Sequence, residues 1–421
     1  MKSKIFLLFS FLLNLFSPHA SAVSLGESYG YDPLQGATYR ANLLRDGNWK
    51  VKNAPKLSAK KWEFKTGGAV KASPVMANGL IYIGSEDKNF YALDAATGKE
   101  KWKFGTGGAI FTSATVYDGK VVFTSMDHKV YALDALTGAK KWEHAVPMDK
   151  AGFYYVSPGA AYGLIFVSQG TATGWEVTSW GGSLLIGLDP ETGEKIWEQK
   201  GKTGPDCMSS IAITPEGKMI FDTDWNFSTC LDLKSGKYDW NERFTGRNMR
   251  GAYYSTHAVG DGIAVGVIAI AGPKNGTAPV SEVIAIDVKS GKKIWSLLPY
   301  DKLLPTNMPE DGGDHRAWAA PALAEGMVFT GNNDGHIYTY DLKTGKEKWR
   351  TKVGGSIRSA PSYSSGKLYF GADDGFVHCL ETATGKETGK IKIGGKTISS
   401  PTLGEGMLII GDDSGLIHCF D

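Results

Sequence analysis

The sequence has little cysteine and no excess of charge of either sign. Four cysteines occur in 421 residues. No two of them are adjacent and no C-x-x-C-H pattern exists, so a covalently attached haem is not indicated. The 46 basic residues face 44 acidic ones, and a neutral chain lacks the positive surface that nucleic-acid binding requires. We therefore expect no nucleic acid among its partners.

Long apolar runs are missing beyond the N-terminus. Residues 5–16 are apolar, follow Lys2 and Lys4, and lead to Ala20-Ser21-Ala22. This is the layout of a secretory signal peptide with its cleavage site, and the run is too short to span a membrane. We expect residues 1–22 to be removed on export, the mature protein to be periplasmic or secreted, and no membrane span elsewhere.

What the sequence does have is a motif that repeats along the whole chain: Asp, two residues, Thr or Ser, Gly, three residues, Trp. The first copy runs from Asp94 through Gly98 to Trp102. Further copies begin at Asp134, Asp189, Asp232, Asp287 and Asp341, and a seventh has Glu381 for the Asp and Gly389 for the Trp. A period of 40 to 55 residues indicates a repeat protein, whose units stack because none can bury its faces alone.

One unit contains four short apolar runs. In residues 69–107 they lie at 73–76, 80–83, 90–93 and 101–104, and clusters of Gly, Asp and Asn separate them. Such runs are typical of antiparallel strands joined by tight turns. The first three are apolar throughout, as in strands covered on both faces, whereas the fourth alternates and so indicates an outer, half-exposed strand. Four-stranded sheets repeated radially form a β-propeller.

Counting the units gives eight blades. Seven are complete, and an eighth begins at Ser400 and reaches Asp421 without its fourth strand. Residues 60–68, which include Trp62, form a fourth-strand sequence with no blade before them, so we expect this N-terminal strand to close the last blade. The predicted fold is all-β, an eight-bladed β-propeller of four-stranded antiparallel blades. The predicted domains are the signal peptide 1–22, an N-terminal extension 23–59 and the propeller 60–421.

The stretch from Ala92 to Trp102 (Ala-x-Asp-x-x-Thr-Gly-Lys-x-x-Trp) resembles the signature of the pyrroloquinoline-quinone-like propeller superfamily, and the resemblance covers residues 60–421. It implies that each Trp docks between blades and that each Asp-x-x-Thr-Gly turn caps an outer strand. The superfamily includes quinoprotein dehydrogenases and a scaffold of outer-membrane protein assembly. The resemblance therefore implies the fold, makes pyrroloquinoline quinone with calcium a cofactor to consider, and leaves the function open.

The predicted site is the mouth of the central channel, where the first strand of each blade begins. Aligning the blades two residues before each Ser-Pro-like dipeptide places one residue per blade at this mouth: Lys71, Phe111, Tyr155, Met208, Tyr253, Trp318, Arg358 and Ile398. Small or branched residues would suffice for the repeat, but four of these are aromatic and two are cationic. With Arg250 and Arg316 nearby, the ring suits an anionic planar cofactor, an acidic sugar or a peptide. The alternative is a plug of bulky side chains that seals the channel.

Three insertions interrupt the repeat, and all are predicted to lie on the mouth face. They are residues 169–183, 272–281 and 297–317, and loops on one face of a rigid scaffold are where function concentrates. The third insertion carries His315, which with Tyr253 is the best candidate for proton transfer. For His315 the alternative is a solvated loop histidine.

Three functions remain open. A binding or scaffold protein needs only the ring and the loops, and its partner would be a small molecule, a sugar, a peptide or another protein. A quinoprotein-type oxidoreductase needs a hard cation with oxygen ligands and an Asp base. Enzymes of the superfamily often hold the quinone between a Trp and a disulfide of adjacent cysteines. Trp318 could supply the Trp, but no two cysteines are adjacent here. A polysaccharide-active, lyase-like enzyme on acidic sugars would use Tyr253, His315 and Arg316. The sequence favours the binding or scaffold protein, with no cofactor assigned.

The cysteine positions predict four buried free thiols. Cys379 and Cys419 occupy the same third-strand position in neighbouring blades, and a whole strand separates Cys207 from Cys230 within one blade. Strand spacing puts such a pair about 9 to 10 Å apart, beyond the Cα separation of a disulfide. Denatured, unreduced protein should therefore react with about four equivalents of a thiol reagent. A disulfide found by mass spectrometry would contradict this assignment of strands.

Overall fold

The structure is a computed structural model that describes residues 37–146, 156–169, 184–200, 210–223, 227–243, 256–270, 280–297 and 319–421. The described residues form strands and turns, with no helix among them. They build eight antiparallel sheets of four strands, one of which gains a short fifth strand. The eight-bladed, all-β propeller is therefore confirmed.

The strands are numbered in chain order, and the first two precede the blades. They are β1 (Ala37–Thr38) and β2 (Lys60–Lys65). Blades 1 to 4 contain β3 (Val75–Ala77), β4 (Leu80–Gly84), β5 (Asn89–Asp94), β6 (Glu100–Gly105), β7 (Thr115–Tyr117), β8 (Lys120–Ser125), β9 (Lys129–Asp134), β10 (Lys140–Ala145), β11 (Gly159–Ala161), β12 (Leu164–Gln169), β13 (Leu184–Leu188), β14 (Lys195–Lys200), β15 (Ala212–Ile213), β16 (Lys218–Thr223), β17 (Phe227–Asp232) and β18 (Tyr238–Arg243).

Blades 5 to 8 continue the same order. They contain β19 (Ala258–Gly260), β20 (Ile263–Ile270), β21 (Val280–Asp287), β22 (Lys293–Leu297), β23 (Ala322–Ala324), β24 (Met327–Gly331), β25 (His336–Asp341), β26 (Glu347–Lys352), β27 (Ser362–Ser364), β28 (Lys367–Gly371), β29 (Phe376–Glu381), β30 (Glu387–Lys392), β31 (Thr402–Gly404), β32 (Met407–Gly411) and β33 (Leu416–Phe420). Blade 8 takes β2 as its fourth strand, with Lys60 opposite Phe420 and Lys65 opposite Leu416. The N-terminal strand thus closes the ring, as predicted.

The first strand of each blade, its inner strand, lies at the central channel, because inner strands of neighbouring blades contact one another without pairing. The second and third strands are covered by the adjacent blades, which explains why β4 is buried along its whole length. The fourth strand lies at the rim, and in β6 exposed residues alternate with half-buried ones. The continuous apolar runs of the sequence therefore correspond to the covered inner three strands of each blade, and the alternating runs correspond to the outer strand at the rim.

The repeated Trp and Gly meet at the seams between blades. Trp62 of β2 packs on Gly98 of blade 1 and its Nε1 donates to the Ala95 carbonyl at 2.9 Å. The same packing recurs for Trp102 on Gly138, Trp142 on Gly193, Trp197 on Gly236, Trp240 on Gly291, Trp295 on Gly345 and Trp349 on Gly385. The turn that presents the glycine is fixed by its first residue, since Asp94 Oδ1 accepts from Thr97 N and Oγ1 at 3.0 and 2.9 Å.

The seam between blades 7 and 8 is built differently. Gly389 stands where the other outer strands have Trp, and blade 8 has no Asp-x-x-Thr-Gly turn of its own. The N-terminal segment supplies one: Asp421 accepts from Ser58 N at 3.0 Å and from Ser58 Oγ at 2.8 Å. Leu57 is buried in the adjoining core cluster. A turn split between the two ends of the chain therefore replaces the repeat.

Residues 37–57 close one end of the channel. The segment follows the inner strands near their last residues, from β7, which pairs with β1, to blade 8, where Asn53 O accepts from Gly406 N at 2.8 Å. In blades 4 to 7 the carbonyls of Leu43, Leu44, Asp46 and Gly47 accept from Ile213, Val259, Leu323 and Tyr363 N–H at 2.7, 2.9, 2.8 and 2.8 Å. Among the described residues, this segment therefore covers the end of the channel at which the inner strands finish.

Three cysteines lie in the described residues, and all three are buried and free: Cys230, Cys379 and Cys419. Each is in a third strand, opposite Ile220, Tyr369 and Ile409 respectively, as the predicted blade register requires. Burial raises the pKa of the Cys230 and Cys419 thiols to about 12, so they are inert at neutral pH. Cys207 lies outside the described residues.

The Trp–Gly seam gives a test of the packing. Gly98 and Gly79 both have positive φ, +70° and +72°, so replacing either by Ala introduces a similar backbone strain of about 1 to 2 kcal/mol. A Cβ on Gly98 would lie 2.6 Å from the Trp62 ring, whereas one on Gly79 would meet nothing within 4 Å. We expect Gly98→Ala to cost about 1 to 3 kcal/mol more than Gly79→Ala in urea unfolding. Equal costs would show that the seam can relax.

Candidate functional site

Four of the eight predicted mouth residues lie in the described part of the chain: Lys71, Phe111, Arg358 and Ile398. All four precede an inner strand and are half-buried, while the residues on either side of each are buried. They therefore open to the channel mouth from between the blades. The other predicted site residues, Tyr155, Met208, Arg250, Tyr253, His315, Arg316 and Trp318, lie outside the described residues, as does most of each insertion.

Lys71 contacts two neighbours at this mouth. Its Nζ lies 2.7 Å from Glu86 Oε1 and 5.5 Å from the centroid of the Phe111 ring. Because Lys71 belongs to blade 1 and Phe111 to blade 2, mouth residues of adjacent blades touch. A half-exposed ion pair of this kind contributes at most about 1 kcal/mol to stability, so it can exchange its partner for a ligand at little cost.

Arg358 is held in the same way on blade 7. Its Nε and Nη2 donate to Asp373 Oδ1 at 3.2 and 2.8 Å. Between Arg358 and Lys71 lies Asp413 of blade 8, which is exposed and has no ion-pair partner among the described residues. Partial burial against the surrounding blades raises the pKa of Asp413, although the positive charges of Arg358 and Lys71 lower it in part. We name Lys71, Glu86, Arg358, Asp373 and Asp413 the mouth arc.

The three acids of the mouth arc were not anticipated from the sequence. Each follows the second strand of its blade and is fixed to the mouth by its backbone. Glu86 N donates to Ala69 O at 3.0 Å, Asp373 N to Ser356 O at 2.9 Å and Asp413 N to Lys396 O at 3.0 Å. These acceptors lie two residues before Lys71, Arg358 and Ile398. Aligning the position before each hairpin Asp would have found Glu86 and Asp373.

The hairpin aspartates themselves are structural. Asp87 Oδ2 accepts from Gly67 N at 2.7 Å and from the Tyr91 hydroxyl at 2.6 Å. Burial opposes the ionisation of Asp87, but these bonds outweigh it and lower its pKa. Asp127, Asp334 and Asp374 make the corresponding contacts with Tyr131, Tyr338 and His378. They tie third strands to turns and do not point to a ligand.

Below the mouth, a belt of hydroxyl groups links the inner strands. The backbone N–H of Ser73 donates to the Ser113 hydroxyl of the next blade at 2.9 Å. The same bond joins Ser113 to Ser157, Ser157 to Ser210, Ser210 to Thr256, Ala360 to Ser400 and Ser400 to Ser73. The belt is interrupted in blades 6 and 7, where Ala320 and Ala360 have no hydroxyl.

The belt also fixes the register of blade 5. Thr256 Oγ1 accepts from Ser210 N at 3.2 Å, so Thr256 is the counterpart of Ser73, and two residues before it stands Tyr254. The predicted mouth residue Tyr253 is its neighbour in the chain. Both tyrosines lie outside the described residues.

A buried acid and a buried histidine meet between blades 4 and 5. Asp222 and His257 are both 0% exposed, His257 Nδ1 lies 3.4 Å from Asp222 Oδ2, and the Ser228 hydroxyl donates to Asp222 Oδ1 at 2.6 Å. Neither ring nitrogen of His257 makes a hydrogen bond, so this core histidine is buried with its polar atoms unsatisfied.

The described residues contain no group of three His, Cys, Asp or Glu side chains able to hold a metal ion. Glu86 and Asp373 are engaged by Lys71 and Arg358, which leaves Asp413 as the free carboxylate of the mouth arc. In addition, none of the described residues forms a helix of the length and apolarity needed to cross a membrane.

Comparison with known proteins identifies the family. The chain belongs to the PQQ-repeat family described as outer membrane protein assembly factor BamB, which matches residues 48–203 and 279–377, more than half of its length. The predicted membership of the PQQ-like propellers is therefore confirmed.

Individual relatives are more distant. Tetrathionate hydrolase of Acidithiobacillus ferrooxidans is 28% identical over 43% of this chain and 36% of its own. Quinohemoprotein alcohol dehydrogenase ADH IIB of Pseudomonas putida is 28% identical over 34% of this chain and 20% of its own. The chain thus spans about a third or less of the length of the curated relatives it matches. The solved structure of BamB from Moraxella catarrhalis superimposes with a TM-score of 0.64 at 14% identity, covering 86% of this chain and 99% of that one, and so shares the fold.

The buried acid of blade 4 predicts an unusual pH dependence. Burial raises the pKa of Asp222, and His257 offsets this only in part. A carboxyl with a raised pKa adds stability that is complete below its unfolded pKa of about 4 and is lost as the pH rises through the folded value. Asp222→Asn keeps an acceptor for Ser228 but cannot ionise. It should be more stable than the parent at pH 7, and the difference should vanish near pH 4.

The matched control is Asp412, which is also 0% exposed. Burial opposes its ionisation too, but the bonds from His418, Ser414 and Leu416 outweigh burial and lower its pKa. Its stabilising contribution is therefore present above the unfolded pKa and lost as the pH falls. Asp412→Asn should therefore make the protein less stable than the parent at pH 7. Thermal unfolding of both variants, measured from pH 3.5 to 8, tests the two expectations. A loss of stability at pH 7 in both variants would mean that the ion pair with His257 dominates at Asp222.

Proposed function

We propose that this member of the PQQ-repeat family is an exported binding or scaffold protein that takes its ligand at the channel mouth. The observation that carries the proposal is that the two ends of the channel differ. Residues 37–57 bond to the inner strands across one end, whereas at the other the mouth arc and Phe111 leave charged and aromatic side chains within reach. A few polar groups that converge at one end of a channel are a usual form of ligand site.

The charges of the mouth arc favour a peptide over the other ligands considered. The arc carries two cations and three acids, and only Asp413 has no ion-pair partner among the described residues. A peptide carries both signs of charge as well as backbone donors and acceptors, so it can exchange partners with Lys71–Glu86 and Arg358–Asp373. A quinone tricarboxylate or a uronate carries only negative charge and would meet three carboxylates. The proposed ligand is therefore a segment of a protein partner, docked with a basic group at Asp413.

The family agrees with a protein partner. Its description names an outer membrane protein assembly factor. Export is also what residues 1–22 predict. The mouth as the contact surface is our own inference, drawn from the geometry of this chain.

The second candidate is a quinone-dependent oxidoreductase, with pyrroloquinoline quinone and calcium as its cofactors. The match to a quinohemoprotein alcohol dehydrogenase over 34% of the chain favours it. If such a quinone were bound, it would supply the redox chemistry, and the protein would hold its carboxylates and cation. The described residues offer Lys71 and Arg358 for carboxylates but no group of three His, Cys, Asp or Glu side chains able to hold a metal ion. No described residue favours the polysaccharide-active enzyme, whose candidates Tyr253, His315 and Arg316 lie outside the described part.

Asp413→Asn tests the proposed function directly. It removes the unpaired carboxylate and leaves both ion pairs of the arc in place. We expect it to weaken binding of an unstructured basic peptide by about threefold to tenfold, since a charge-assisted bond is lost, and to strengthen binding of an acidic peptide of equal length. Fluorescence polarisation with the two labelled peptides at low and high salt measures both effects. The matched control is Asp118→Asn, which removes an aspartate that is also exposed at the hairpin after β7, near the closed end.

Two further measurements separate the candidates. Trp318→Ala should weaken both peptides if the predicted aromatic platform contributes to binding. Titration of the protein with pyrroloquinoline quinone and calcium, followed by absorbance, should give no saturable spectral change. The scaffold proposal fails if Asp413→Asn and Asp118→Asn bind both peptides as the parent does, and a saturable quinone spectrum would replace it with the oxidoreductase.

A further inference from the structure

The edge of each inner strand that faces the channel has backbone groups that need partners, and the structure supplies them at successive depths. At the belt, N–H groups donate to hydroxyls of the next blade. One residue deeper, carbonyl oxygens accept from side chains. Arg45 donates to Ile211 O at 3.1 Å and to Pro158 O at 3.3 Å, Thr402 Oγ1 to Pro74 O at 2.5 Å and Ser362 Oγ to Pro401 O at 2.6 Å. Deeper still lies the segment 37–57.

This system of partners fails at blade 6. Ala320 and Ala360 stand where six other blades have Ser or Thr, so the N–H groups of Thr256 and Ala320 find no acceptor among the described residues. Ala320 is 4% exposed. Unpaired backbone donors at such depth are uncommon, because each costs free energy comparable to a lost hydrogen bond.

The guanidinium of Arg40 lies beside this gap, and two of its three nitrogens have no acceptor. Its Nη2 donates to the carbonyl of Pro321, the residue after Ala320. Its Nε and Nη1 are buried with no hydrogen-bond partner, and the residue is 4% exposed. Unsatisfied donors of side chain and backbone therefore converge on one part of the channel wall, with no acceptor among the described residues to match them.

The described side chains there carry a net positive charge. Arg45 is 0% exposed and bonds only to neutral oxygens, those of Thr38, Tyr39, Ile211 and Pro158. Asp46 is the one described carboxylate that acts on Arg40, and its Oδ1 is engaged by Asn42 and by the N–H of Asn48. Two guanidinium groups thus face one carboxylate. Burial lowers the pKa of both arginines, that of Arg45 to about 10, which leaves Arg45 charged at neutral pH. A guanidinium in general keeps its proton in proteins.

We propose that the channel wall at blade 6 holds an anion no larger than a carboxylate, bound by Arg40 Nε and Nη1 and by the N–H of Ala320. Such an anion satisfies the convergent donors and balances the charge, which are two independent requirements of the same place. It has two sources, a free ion such as chloride or the carboxylate of a larger ligand. The site lies deeper than the mouth arc and does not depend on the function proposed for it.

The experiment compares anions at constant ionic strength. Thermal unfolding is measured in sodium HEPES, whose anion is too large for the site, and in mixtures in which chloride or acetate replaces it. Saturation with a small anion should raise the melting temperature by about 2 to 5 °C. A crystal soaked in bromide should show an anomalous peak between Arg40 and Ala320. A response to acetate but not to halide would identify the carboxylate as the source.

The variants use residues that the repeat itself provides. Ala320→Ser with Ala360→Ser supplies acceptors for the N–H groups of Thr256 and Ala320 and fills the gap, so it should abolish the anion response while maintaining or raising the melting temperature in HEPES. Arg40→Met should also abolish the response. The control Ser113→Ala breaks the belt bond between blades 1 and 2, outside the gap at blade 6, and should lower the melting temperature equally with and without small anions.

The proposal is overturned if the parent protein shows no difference between HEPES and the small anions, or if the Ala320→Ser, Ala360→Ser double variant responds as the parent does. Arg40→Met alone is not decisive, because it also removes the bond to Pro321 O and could prevent folding. The double variant does not have this weakness, since it adds hydrogen bonds of the kind that the other blades already make.

Discussion

The constraint on which this propeller depends is the free edge of its inner strands. Each is hydrogen-bonded to its own blade on one side only, and a buried backbone group without a partner is costly. Where every blade is identical, each can satisfy the next, and the hydroxyl belt does this wherever Ser or Thr is present. Near the ends of the inner strands the repeat offers nothing of its own, and the backbone of residues 43–47 supplies acceptors for four successive blades. The N-terminal segment is therefore part of the propeller and not an appendage to it.

The same segment closes the ring in two further ways. It continues into β2, which completes blade 8, and Ser58 binds Asp421 in a turn divided between the chain ends. The channel floor, the last blade and the last seam thus share one stretch of about 30 residues, and its partners lie up to 363 positions away. Such non-local contacts form only once most blades are in place, because closing long loops has an entropic cost that later contacts must offset. Stability should consequently be a property of the closed ring more than of its separate blades.

The sequence predicts the features that belong to the repeat and misses those that the N-terminal segment and single blades add to it. The blades, the closing strand with Trp62 and the third-strand positions of Cys379 and Cys419 follow from the repeat, because periodicity fixes them. The role of residues 37–57 could not be predicted from the sequence, because the segment is not part of the repeat. It bonds mainly to backbone groups, which are the same for nearly every residue type. The acids Glu86, Asp373 and Asp413 occupy a register position that only an alignment of the hairpins reveals. Asp222 and His257 stand where blade 1 has Gly84 and Pro74, and their pairing appears only when neighbouring blades are aligned across a seam.

Departures from the repeat differ in whether the fold compensates for them. Gly389 in place of a Trp is compensated, since Leu57 is buried in the adjoining core cluster and Ser58 rebuilds the turn. The departures in blades 4 to 6 are not: His257 and Arg40 each retain two nitrogens without a hydrogen bond. Blades 7 and 1 hold their mouth cations in ion pairs, whereas the wall of blade 6 presents donors without acceptors. A ring of identical blades would offer the same surface eight times, so binding one ligand requires blades that differ. Where a difference leaves buried polar groups without partners, it does not serve folding, and we interpret it as serving binding. The two sides of the channel are therefore suited to different parts of what they bind, a basic group at the mouth of blade 8 and an anion deeper at blade 6.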